Sequence, residues 1–240
     1  MPRANRYLLP GHSYHLTHRC HDRSFLFRFG RDRTEYRRRL RQAVRQFRVT
    51  LLAYCITSNH THLLCRAPEP GIISSLMQWL EGGFAEYYNT RKHRSGAFWE
   101  GRYECTMIDG SAHLWRCMKY IDLNMVRAGV VRHPEEWDWC GYRELIGERR
   151  RYRMLDMSEV LRMHGGIAQQ AFTENYRAGI HEAIRRGELS RQPIWTESIA
   201  VGDESFVQRI SRQTRNRVEY EVHTDGTGSW ALREQTGAYV

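Results

Sequence analysis

The sequence predicts an α+β fold, an antiparallel sheet with helices packed on one face, followed by a mainly helical C-terminal extension. Three observations predict it: short β-prone runs alternate with amphipathic helical ones, two β runs are separated by a tight turn, and Pro and Gly punctuate the chain. At 240 residues, with 41% hydrophobic and 12% aromatic side chains, the chain can bury a proper core, which excludes wholesale disorder.

The first strand is expected over His12 to Cys20, where Tyr14, Leu16 and His18 alternate with His15, Thr17 and Arg19. A helix follows from Asp32: Asp32 and Glu35 have capping-box spacing, and Tyr36, Leu40, Val44 and Phe47 recur every three or four residues. Its other face carries Arg37, Arg38, Arg41, Arg45 and Arg48. Val49 to Thr57 and His60 to Arg66 form a hairpin across Ser58-Asn59. A second helix covers Gly71 to about Thr90, with Gly82-Gly83 as a candidate kink.

Phe98 to Asp109 is aromatic and β-prone around Gly101, a bent strand or hairpin. A third helix runs from Ser111, a candidate N-cap, to Gly129, a C-terminal stop. The aromatic segment Pro134 to Leu145 closes a domain assigned to residues 1–146, and the polar stretch 147–155 is a linker. The extension, 156–240, holds helices over Asp156 to His164, Gly166 to Arg186 and Asp203 to Arg215, then a polar tail.

The formal net charge is +10, and all of it lies early: residues 1–50 carry 13 Arg against 3 acidic residues, while the remainder is balanced. Only Lys92 and Lys119 are lysines. Arginine suits planar phosphate contacts better than a point-charge ammonium does, so the composition points to a polyanion without proving one. No apolar run reaches membrane-spanning length, no secretory signal is apparent, and the six cysteines are scattered, which together predict a cytoplasmic protein with free thiols.

Two constellations carry chemistry. His60 and His62 are two apart on a strand, so their imidazoles project from the same face, as a metal clamp needs. On the third helix, Tyr120 shares a face with His113, Arg116, Asn124 and Arg127, opposite a core face of Leu114, Trp115, Met118, Met125 and Val126. Four further histidines, His12, His15, His18 and His21, recur every third residue. On a strand that spacing alternates faces, so they do not share one ion.

The segments Ser58-Asn59-His60-Thr61-His62-Leu63-Leu64, Phe98-Trp99-Glu100-Gly101-Arg102-Tyr103 and Tyr120-Ile121-Asp122-Leu123-Asn124-Met125-Val126-Arg127-Ala128-Gly129 resemble, in order and spacing, the REP-associated tyrosine transposases. The resemblance spans roughly residues 5–145. It implies a ferredoxin-like sheet with the histidines on a central strand and a tyrosine-bearing helix facing them. It further implies Tyr120 as the nucleophile of a single-stranded DNA endonuclease and strand transferase, and His60, His62 and Asn124 as ligands of Mg²⁺ or Mn²⁺, with zinc an alternative. Single-stranded or hairpin DNA is the implied partner, contacted by His15, Arg102 and Arg127, and the early charge excess independently marks Arg38, Arg41 and Arg45 of the basic helix as a phosphate-tracking surface. Met125 stands where the family usually has Pro, and Cys140-Gly141-Tyr142 where Ser-Ser-Tyr is common. Two rivals remain at this stage: a non-cleaving DNA or RNA hairpin-binding protein, and a zinc hydrolase, for which no acid/base carboxylate is evident beside the His pair. No membrane partner is expected, and a homodimer is open.

Overall fold

The computed structural model describes residues 7–214, 220–224 and 228–234. Four strands make the first half of the sheet: β1 (Ser13–Arg19), β2 (Thr50–Ile56), β3 (His60–Arg66) and β4 (Glu104–Ile108). They lie in the order β2-β3-β1-β4, every pairing antiparallel. β3 is thus inserted between β1 and β2, which α1 (Gly30–Gln46) connects, while α2 (Pro70–Arg91) connects β3 to β4. This is the split β-α-β arrangement of ferredoxin-like folds, as expected.

Register decides which side chains share a face. Thr17 lies opposite His62, His15 opposite Leu64 and Cys55 opposite His62, so these residues and His60 point one way. Leu16, His18, Thr61 and Leu63 point the other way, toward α1 and α2. There Phe27, Tyr36, Phe84, Phe98 and Trp99 interlock, largely edge to face, with Phe27 and Tyr36 centroids 5.4 Å apart and Phe84 and Phe98 5.3 Å apart. The Tyr36 hydroxyl donates to Glu81 Oε1 (2.7 Å), and the Trp99 indole donates to Glu81 O (2.9 Å).

The helices, expected on one face, cover both. α3 (Ser111–Asp122) and the short α4 (Asn124–Arg127) lie over the His62 face. The single helix expected to Gly129 is divided at Leu123, where ψ is 0°, and it stops at Gly129 as anticipated, with φ at +68°. Asp32 does not cap α1, which starts at Gly30; it is fully buried and ion-paired with Arg91 at the end of α2. α2 runs continuously through Gly82 and Gly83, and Arg39 Nη1 lies 3.0 Å from where a Gly83 Cβ would be. Phe98 to Asp109 contributes one strand, β4, after a turn at Gly101 with φ at +64°.

The extension contains the expected helices, α6 (Met157–Met163), α7 (Gln169–Arg185) and α8 (Glu204–Thr214), after a one-turn α5 (Tyr142–Leu145). Asp156 caps α6 by accepting from Glu159 N (3.0 Å). α7 buries Phe172, Tyr176 and Ile180 at four-residue spacing, and the first two rings meet Trp115 of α3 edge-on at 5.5 and 5.2 Å. Segment 147–155 is docked rather than loose: Glu144 Oε2 accepts from Met154 N (2.6 Å) and Leu155 N (3.0 Å).

The extension also adds strands that the sequence does not announce. β5 (Ala200–Gly202), β6 (Tyr220–Thr224) and β7 (Trp230–Glu234) extend the sheet to seven strands in the order β2-β3-β1-β4-β5-β7-β6. β5 runs parallel to β4, pairing Met107 with Ala200 and Ile108 with Val201, so the sheet is mixed rather than wholly antiparallel. Gly202 is required there, because a Cβ would sit 2.4 Å from Phe206 and 2.6 Å from Asp109. Arg215 and the tail segments 216–219, 225–227 and 235–240 lie outside the described residues. All six cysteines are free thiols, and among the described residues no helix is long and apolar enough to cross a membrane.

Candidate active site

The hairpin turn supports His60. Its Nδ1 lies 2.7 Å from Asn59 Oδ1, an atom that can only accept, so Nδ1 carries the proton and Nε2 keeps its lone pair. His62 is set by a longer chain of the same logic. The carbonyl of Trp195 lies 2.8 Å from His15 Nδ1, which must therefore donate. His15 Nε2 is then the acceptor 2.9 Å from His62 Nδ1, so His62 is protonated at Nδ1 and its Nε2 is bare. Thr17 Oγ1 also lies 3.2 Å from His62 Nδ1.

Both bare nitrogens face Asn124, whose Nδ2 is 2.9 Å from His62 Nε2 and 3.4 Å from His60 Nε2. A half-turn of that amide presents Oδ1 to the same point, making two imidazole nitrogens and one neutral oxygen converge. Burial and neighbouring cations hold the imidazoles neutral: His60 is pushed down to about 3 and His15 by burial to about 4, and His62 also lies well below the ordinary range. Neutral imidazole is the ligating form. The donor set fits a divalent cation with open positions: Mg²⁺ or Mn²⁺ would bind modestly and a bound phosphate would complete the shell, while the imidazole pair also suits zinc. No cluster of three His, Cys, Asp or Glu able to hold a metal occurs among the described residues, so the amide is the third donor available.

α3 brings Tyr120 over this pair, with its ring centroid 6.0 Å from that of His62 and 6.2 Å from that of His15. Burial raises the phenol's pKa, and Arg127 opposes that rise, its guanidinium carbon 4.2 Å from the ring centroid. Arg127 Nη2 also donates to Tyr120 O (3.2 Å), tying the α3–α4 junction to the ring it flanks.

His60, His62, Tyr120, Asn124, Arg102 and Arg127 all line one cleft of about 780 Å³, together with Thr17, Arg19, Arg23 and Arg191. Glu100, Glu104 and Glu197 line it too, so carboxylates are closer to the site than the sequence suggested. Of the expected DNA contacts, His15 is corrected: it is 1% exposed with both ring nitrogens engaged, which makes it a support for His62 and leaves it no surface for DNA. Arg38, Arg41 and Arg45 sit on α1, across the sheet from Tyr120. Arg38 is held by Glu35 (2.7 Å) and Gln42 (3.0 Å), while Arg41 and Arg45 line a separate groove with Tyr152. The four histidines of the first strand do not converge: His15 meets His62, His18 stacks on Trp99, His12 meets Phe206 and His21 pairs with Asp22. Sequence reasoning missed Thr17, Arg19, Arg23, Arg191 and Trp195. Thr17 was accessible, being two residues from His15 on the same face. Trp195 reaches the site from 180 positions away with no local signal.

Residues 9–124 match the family model described as IS200-like transposase, and through this segment the chain resembles that family. The structure of a REP-associated tyrosine transposase bound to a REP hairpin superposes with a TM-score of 0.54 at 19% identity, covering 65% of this chain and 93% of that one. A putative transposase from Deinococcus radiodurans is 22% identical over 47% of this chain and 87% of that one, with a TM-score of 0.35. No curated protein matches the chain.

Proposed function

We propose that the chain is a REP-associated type of transposase that cuts and rejoins single-stranded DNA beside a hairpin through a covalent 5′-phosphotyrosine at Tyr120. The observation that carries this reading is the convergence of two forced Nε2 lone pairs, the Asn124 amide and the Tyr120 ring in one arginine-lined cleft. His60, His62 and Asn124 would hold a divalent cation, which supplies neutralisation of a non-bridging phosphate oxygen when bound.

The chain's own residues do the rest. Arg19, Arg23 and Arg102 present guanidiniums to the phosphates of a bound strand. Arg127 stabilises negative charge on the phenol as its proton leaves. The Tyr120 oxygen forms a bond to phosphorus, the bond from phosphorus to the 3′-oxygen breaks, and that oxygen departs as a 3′-hydroxyl. A 3′-hydroxyl of another strand reverses the step, returning the phenol, so transfer consumes no nucleotide triphosphate.

The test incubates purified protein with end-labelled hairpin-bearing single-stranded DNA and Mg²⁺ or Mn²⁺. A denaturation-resistant protein–DNA adduct is expected, lost on chelation and in Tyr120→Phe. Tight binding that survives chelation and the His60→Ala/His62→Ala change, with no cleaved product, would instead make this a hairpin-binding protein. An adduct of equal yield from Tyr120→Phe would overturn the mechanism.

A further inference from the structure

The cleft does not end at Tyr120. Beyond the ring a second groove of about 810 Å³ opens, sharing Tyr120, Arg127 and Arg191 with the first. One wall is the outward side of α3, including Arg116 and Lys119; the other is the stretch from Glu188 to Trp195 with Arg233 on β7. That second wall lies wholly outside residues 9–124, the span that matches the transposase family.

Cations predominate in its lining: Arg116, Lys119, Arg127, Arg191 and Arg233 face one carboxylate, the solvent-exposed Glu188, among its described residues, with Arg191 ion-paired to Glu197 and Glu188 to Arg186. Two of these side chains are tied to the extension: Arg116 Nη1 donates to Ser229 Oγ (2.7 Å) and Arg233 Nε to Ser198 Oγ (3.5 Å). Five cations against one carboxylate in the described lining give the groove a positive field that favours a polyanion. Pro193 and Ile194 add an apolar edge to it.

Continuity selects the occupant. A strand whose scissile phosphate lies against Tyr120 must leave the cleft on one side of that ring, and this cationic groove begins at the ring. We infer that the C-terminal extension builds a second subsite that holds the single-stranded arm flanking the scissile phosphate. The extension thereby shares in substrate binding as well as buttressing α3. The inference rests on the DNA-cleaving reading above, but its test uses binding alone.

Binding is measured by fluorescence anisotropy with cleavage-incompetent Tyr120→Phe protein and a hairpin whose 5′ or 3′ single-stranded arm is lengthened stepwise. Affinity should rise with the length of one arm and not the other. Lys119→Gln combined with Arg233→Gln should abolish that rise and leave affinity for the bare hairpin unchanged. For the armed substrate it should flatten the plot of log affinity against log salt by about 1.4, at about 0.7 per lost single-strand phosphate contact. Glu188→Gln should steepen the dependence on arm length, a gain that misfolding cannot produce. An arm-length gain equal in all three proteins, or absent from the parent, overturns the subsite. A missing covalent adduct in the wild-type cleavage assay would sink the chemistry while leaving these affinities to stand or fall separately.

Discussion

His15 and His18 leave the same strand three residues apart, both buried, and enter opposite environments. His15 joins Trp195 O to His62 in a directional hydrogen-bond chain, whereas His18 stacks on Trp99 at 4.4 Å with Glu81 Oε2 3.7 Å from its Nδ1. One sheet face is therefore organised by polar groups with assigned donor and acceptor roles, the other by interlocked aromatics. The difference teaches that residue type and burial do not identify a functional histidine here; its partners do.

Replacing each histidine separately breaks or sharpens this contrast. His15→Ala removes the acceptor for His62 Nδ1 and should weaken divalent-metal affinity about 10- to 100-fold, raising the Mn²⁺ needed when cleavage is titrated against it. His18→Ala should leave that titration where it was and lower stability by about 1–2 kcal/mol in denaturant melts. If both variants shift the metal titration equally, His15 has no special role.

The two faces also treat buried aspartates differently. Asp32, on the aromatic side, is ion-paired with Arg91, whereas Asp122, on α3, accepts only from the Tyr176 hydroxyl (2.7 Å) among its described partners. Burial pushes Asp122 up to about 8 from an ordinary 3.8. The folded state then holds a proton that the unfolded chain releases. This contribution is fully present below about pH 4 and is lost as pH rises to about 8. Asp122→Asn should flatten the fall in unfolding free energy between those pH values. An unchanged slope would show that another group sets it.

A smaller effect is expected from α1. Arg38→Gln, Arg41→Gln and Arg45→Gln together should weaken DNA binding, lowering the salt slope by at most about 2, and leave cleavage at saturating DNA intact. Arg38 is already partnered by Glu35, and the helix lies across the sheet from Tyr120. A large loss of saturated rate with unchanged affinity would contradict that separation.

Much of the site was legible because its signals are local. His60 and His62 obey strand alternation, and Tyr120, Asn124 and Arg127 share a helical face although the helix divides at Leu123; spacing placed these residues together, and the resemblance to a transposase family supplied their expected roles. The rest depends on distant chain. Trp195 contributes a backbone carbonyl, which no side-chain pattern encodes, and Arg191 arrives on a loop. β5 is three small buried residues without alternation, too short to register as a strand. Asp32 has the spacing of a cap, yet burial beside Arg91 gave it a tertiary role instead. Helices on both faces follow from register: His60 and His62 must point away from the α1–α2 layer for α3 to meet them.

The central claim is that Tyr120 forms the covalent bond to DNA. It is tested most directly by trapping the adduct, digesting protein and DNA, and locating the nucleotide-bearing peptide by tandem mass spectrometry. The expected result is a 5′-phosphate ester on Tyr120, with a free 3′-hydroxyl on the released strand. A nucleotide mapped to any other residue, or a 3′-phosphate linkage, would contradict the account.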